Sequence, residues 1–101
     1  MQIVKFPVKV KLKKFSDLIF FSQLDLIHLL ARALRRTNLP IYFTQGFHPR
    51  VKISFLSGLK LGVEGQMDVV FYFREKIQPQ DMVRELSPQL PKGLEIVEIL
   101  S

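Results

Sequence analysis

The hydrophobic pattern of this chain predicts an α+β fold of ferredoxin-like type, ordered βαββαβ, with two helices on one face of a four-stranded antiparallel sheet. Three observations lead there. Residues 4–13 and 67–74 alternate apolar and polar side chains with period two. Residues 23–37 carry a wide apolar arc at helical spacing, and a proline-initiated helix followed by a last apolar run closes the chain. The 101 residues are enough for one domain with one core, so residues 1–101 are expected to form a single ferredoxin-like domain.

In the first strand, residues 3–13, Val4, Phe6, Val8, Val10 and Leu12 fall on one side, and Lys5, Pro7, Lys9, Lys11 and Lys13 on the other. Pro7 lacks an N–H, which confines it to an edge, a bulge or the start of the strand. Ser22 with Asp25 three residues on predicts a capping box, and a Leu-, Ala- and Arg-rich helix follows over 23–37. Asn38 and Pro40 end it. The apolar patch 39–43 is either a short extra strand or a connection. Val51, Ile53 and Phe55 alternate with Lys52 and Ser54 as the second strand. Gly58, Gly62 and Gly65 punctuate a hairpin connection into the third strand. Pro79 opens the second helix, Pro88, Pro91 and Gly93 close it, and residues 94–100 form the last strand.

The charge is unevenly spread. Residues 1–60 hold eleven Lys or Arg against Asp17 and Asp25, whereas residues 61–101 are net acidic, within a total of +6. A basic first half suits a polyanion such as RNA. With no cysteine there is no disulfide framework, thiolate zinc site, iron–sulfur cluster or cysteine nucleophile. No run of about 18 apolar residues marks a membrane span, and residues 1–14 lack the block pattern of a signal peptide. The cytoplasm is the expected location. No cofactor is expected, and Asp25 with His28 offers only two ligands toward a metal site.

Two groups of candidate binding residues emerge. In the predicted topology Arg35 and Arg36 at the end of the first helix lie near Gly46, His48, Arg50 and Lys52 of the following segment, with Arg74 and Lys76 from the end of the third strand. Such a corner suits a phosphate or carboxylate, which guanidinium groups grip bidentately. The two helix arginines also serve simply to offset the helix macrodipole. The second group is the row Lys9, Lys11 and Lys13 on the uncovered sheet face, joined by Tyr72 as its one aromatic. Asp68 and Glu95 across the sheet, with Glu98 as a third candidate, would neutralise that row. His48, held before Pro49 and beside Arg50, is the better placed of the two histidines for acid–base chemistry, with Tyr42 as a neighbour. His28 belongs to a surface row with Asp25 and Arg32.

The run FFSQLDLIHLLARALRRTNLPIYFTQGFHPRVKISFLSGLKLGVEG, residues 20–65, resembles the radical SAM-linked protein family, an uncharacterised domain with FxSHLDL, RALRRAxLP, SxGFxPxPKxSF and PLxLGxE blocks in this order. Its motif positions fall here on Ser22, Leu24, Asp25, Arg32, Arg35, Arg36, Pro40, Gly46, Phe47, Pro49, Lys52, Ser54, Phe55, Gly62 and Glu64. Gln23 stands where the family has a histidine, and Val51 where it has a second proline. Members are usually longer, which implies a further C-terminal portion. The resemblance implies a radical SAM enzyme as partner, fused or encoded alongside. This cysteine-free chain would then not carry that enzyme's cluster.

The expectation is therefore a non-catalytic RNA- or anion-binding accessory module that presents or recognises substrate for a radical SAM enzyme, in tRNA or rRNA modification. One alternative is a metal-independent endoribonuclease of ferredoxin-like fold using His48, an analogy at the level of fold. Another is a protein-interaction domain with no nucleic-acid role. Nothing in the sequence sets the oligomeric state.

Overall fold

A computed structural model describes residues 4–56 and 64–101. The expected connection around Gly58 and Gly62, and the first residue of the expected first strand, Ile3, lie outside the described residues. The elements run β1 (Phe6–Lys14), a 3₁₀ turn (Ser16–Phe20), α1 (Gln23–Arg35), β2 (Ile53–Phe55), β3 (Gly65–Phe73), α2 (Pro79–Leu86), a second 3₁₀ turn (Ser87–Gln89) and β4 (Leu94–Ile99). The sheet order is β2-β3-β1-β4, with every neighbouring pair antiparallel. This is the ferredoxin-like order predicted from the sequence.

The pleat separates two chemistries. Val8, Val10 and Leu12 of β1 and Met67, Val69, Phe71 and Phe73 of β3 are buried with Leu26, Leu30, Ala33 and Leu34 of α1 and Met82 and Leu86 of α2. Both helices thus cover one face, and the opposite face carries the lysine row. Along β1 the register with β3 is unbroken from Phe6↔Phe73 to Lys14↔Gly65, whereas the register with β4 shifts between Lys11 and Leu12. Pro7 sits near the start of β1. Lys9 donates its N–H to Ser101 on the β4 side, so the donor Pro7 lacks would point beyond the last β4 partner.

Sequence periodicity left three local features unsettled. Lys14 continues the buried side of β1 and is only 2% exposed, with Nζ donating to the Ile19 carbonyl at 3.1 Å. The 3₁₀ turn that supplies this carbonyl begins at Ser16 with φ of 56°. Finally, the patch 39–43 forms no full strand. Ile41 makes a single bridge to Phe73 and Phe43 another to Val51, so β2 proper is only Ile53–Phe55.

The cap of α1 is as predicted. Asp25 donates its backbone N–H to Ser22 Oγ at 3.1 Å, and the Ser22 N–H donates to the Asp25 carboxylate at 3.0 Å. The hydrogen bonds that the Asp25 carboxylate accepts from Ser22, the backbone N–H foremost, aided by the nearby His28, hold its carboxyl below the ordinary value. Because the folded-state pKa is the lower one, this contribution to stability is full above the unfolded carboxyl pKa and is lost as pH falls through the folded value. Ser22→Ala, which removes the acceptor of the Asp25 N–H, should destabilise the fold by about 1 kcal/mol. The Ser22 N–H bond to the Asp25 carboxylate survives that change, so Asp25→Asn is the variant whose stability should lose its acid-sensitive part, as chemical denaturation at several pH values would show.

Candidate functional site

The uncovered sheet face is built by register. Pro7 pairs with Tyr72, Lys9 with Val70, Lys11 with Asp68 and Lys13 with Gln66, and paired residues in an antiparallel ladder share a face. On the outer strands, Ser54 faces Val70, Glu98 faces Lys11 and Glu95 faces Lys13. All of these side chains except Val70 are half-buried or exposed.

Charge divides this face into two ends. Lys11 Nζ lies 3.2 Å from the Asp68 carboxylate, and Lys13 Nζ lies 3.4 Å from Glu64. With Glu95 and Glu98 alongside, carboxylates outnumber lysines and that end is net acidic, and ion pairs this exposed add little to stability. The other end carries Lys5, Lys9 and Lys52, none of which has a carboxylate within salt-bridge distance among the described residues. The row of lysines legible in the sequence is thus cationic at one end only.

That cationic end holds two aromatic rings rather than one. The Tyr42 N–H donates to the Tyr72 carbonyl at 3.1 Å, and the Lys52 N–H donates to the Tyr42 carbonyl at 3.2 Å. This lacing follows from the two single bridges on either side: Ile41 and Phe43 enter the ladder, and Tyr42 between them turns to the opposite face. Lys5 Nζ lies 5.8 Å from the centre of the Tyr42 ring and 5.5 Å from that of Tyr72, and Lys52 Nζ lies 5.4 Å from Tyr72. These are cation–π distances. Tyr42 is the residue sequence reasoning missed here. The sequence carries no clear signal for it, because the segment makes two isolated bridges and no continuous strand.

The second predicted group, the arginine corner, divides three ways. Arg36 turns toward the second 3₁₀ turn, donating from Nη2 to the Gln89 carbonyl at 2.9 Å and from Nε to Gln89 Oε1 at 3.1 Å. It ties the end of α1 to the segment after α2. Arg74 donates from Nε to the Ile41 carbonyl at 3.3 Å, and Lys76 lies beside Asn38, Pro40 and the start of α2. Lys52 belongs to the open face. Only Arg35 and Arg50 remain together, at one side of a groove of about 550 Å³ with Leu24, Ile27 and Ala31 of α1 and Val51. Arg35 also lies 5.9 Å from the Phe43 ring centre.

The loop 44–50 closes on itself. The Thr44 N–H donates to the Arg50 carbonyl at 2.7 Å, and the Arg50 N–H donates to Thr44 Oγ1 at 3.1 Å. Gly46 takes the turn with φ of 125°, a conformation that L side chains rarely adopt. Phe47 is 99% exposed at the tip. His48 is exposed, with its ring tilted against Phe47 at 6.2 Å, and makes no side-chain hydrogen bond or ion pair with another described residue. An orienting partner of the kind that tunes a general base is missing from its described surroundings. Among the described residues, no three His, Asp or Glu stand close enough to hold a metal ion, and no helix is long and apolar enough to cross a membrane.

Fold and site together define a ferredoxin-like α+β domain whose open sheet face is cationic and aromatic at one end. The chain belongs to the family described as "Uncharacterized protein conserved in bacteria (DUF2344)", whose model matches residues 8–101. No curated protein and no solved structure matches it.

Proposed function

We propose that this domain is a non-catalytic, cytoplasmic RNA-binding module that recognises or presents substrate for a radical SAM enzyme, in tRNA or rRNA modification. The observation that carries the RNA part is the end of the open face where Lys5, Lys9 and Lys52 have no carboxylate within salt-bridge distance among the described residues. Cations that neutralise phosphates release counterions, which gives both affinity and a steep salt dependence. The partner part rests on the resemblance of residues 20–65. The exposed apolar side chains Leu24 and Phe47, which offer a protein partner something to cover, agree with it.

The arginines contribute less than the sequence suggests. Arg36 is engaged within the fold, and Arg35 with Arg50 faces the groove along α1 rather than the sheet. Phosphate contact on this reading falls to the lysines, with Arg74 at the margin of the same end. Titration of a structured RNA across a salt series tests the proposal. Binding at low salt that weakens steeply as salt rises is expected; no binding at low salt, or binding indifferent to salt, would contradict it.

A further inference from the structure

Tyr42 and Tyr72 are the only tyrosines of the chain, which has no tryptophan, and both lie at the cationic end of the open sheet face. We propose that they form a stacking platform for two unpaired nucleotides, so that the RNA segment taken by this site is single-stranded. The inference rests on the RNA reading above and narrows its substrate class.

The two rings lie on laced segments, since Tyr42 donates its N–H to the Tyr72 carbonyl, and Lys5 Nζ stands within 6 Å of both ring centres. An aromatic face accepts any base, and stacking on it requires the base to leave its helix. A base that stacks on a ring takes the place of the ammonium group now above it. A flexible lysine stem lets that ammonium swing to the phosphate joining the two nucleotides, so charge neutralisation and stacking act together. Lys52 does the same from the other side of Tyr72. A duplex presents no free base face and engages only the lysines.

Because all tyrosine emission comes from the two platform rings, the intact protein reports on its own site. The experiment compares oligo(A) and oligo(U), an RNA duplex of equal length, and inorganic polyphosphate, with tyrosine fluorescence and anisotropy of labelled RNA as separate readouts. Single-stranded oligomers should quench the emission at saturation, while duplex and polyphosphate bind without quenching. Tyr72→Ala and Tyr42→Ala should each weaken single-strand binding by roughly 5- to 150-fold. Duplex and polyphosphate binding should hold in both variants, which also shows that they are folded. Salt-dependent binding of every probe with unchanged tyrosine emission would overturn the platform and leave the RNA reading standing. Absence of binding by any probe would overturn both.

Discussion

Replacing Lys5 and Lys52 together by glutamate should lower RNA affinity on the order of 100-fold at low salt, the largest effect expected from any pair of lysine substitutions on the open face. Two attractive contacts become repulsive ones at side chains that form no salt bridge among the described residues. Both ammonium groups are held over tyrosine rings, so the reversal also removes the cations that flank the platform. The same change at Lys11 and Lys13 should do far less, because Asp68 and Glu64 already neutralise those side chains. Filter binding or anisotropy with one RNA and the two double variants reads the difference. Equal loss from both pairs would mean that total charge, not its placement, governs binding.

Gly93→Ala should be the most damaging small substitution in the fold. Gly93 has φ of 105°, and its carbonyl accepts the Phe15 N–H at 2.8 Å. A Cβ there would come to 2.8 Å from the Phe15 carbonyl oxygen and 2.9 Å from Leu18 Cγ. The first is backbone and the second is a buried side chain, so neither yields freely. Backbone strain and overpacking add to about 2 to 4 kcal/mol. For a domain of this size that lowers the melting temperature by roughly 10 to 30 °C. Gly46 provides the contrast: its φ is 125°, but an added Cβ would meet nothing within 4 Å, so Gly46→Ala carries the strain without the clash. Thermal denaturation of the two variants should separate them clearly.

The reasons for these effects differ in how far the sequence shows them. Period-two alternation placed the lysines on one face of β1 because a strand pleat leaves no choice. The capping box at Ser22 and Asp25 was legible for a similar reason: three residues settle it locally. Gly93, by contrast, is critical because the 3₁₀ turn at Ser16–Phe20 packs against it, and that contact spans most of the chain. Lys14 reads as one more basic residue after Lys13, yet the same turn brings a carbonyl to meet it inside the core.

The candidate site was legible only in part. The lysine row and Tyr72 follow from alternation, but the pairing of Lys11 and Lys13 with carboxylates depends on register and on Glu64. Tyr42 depends on two isolated bridges that no local pattern announces. The arginine corner illustrates the opposite error, in which proximity of elements is taken for convergence of side chains. Arg36 is engaged at Gln89 and Arg74 at the Ile41 carbonyl, and neither lines the groove that Arg35 and Arg50 share.

The salt dependence of RNA binding tests the central claim most directly. We expect Lys5→Gln, Lys9→Gln and Lys52→Gln combined to reduce the slope of log affinity against log salt by about two, since each single-strand phosphate contact contributes roughly 0.7. Lys11→Gln with Lys13→Gln should leave that slope nearly unchanged. A slope that survives the triple substitution, or that falls as much with the paired lysines, would contradict a nucleic-acid site at the tyrosine end of the sheet.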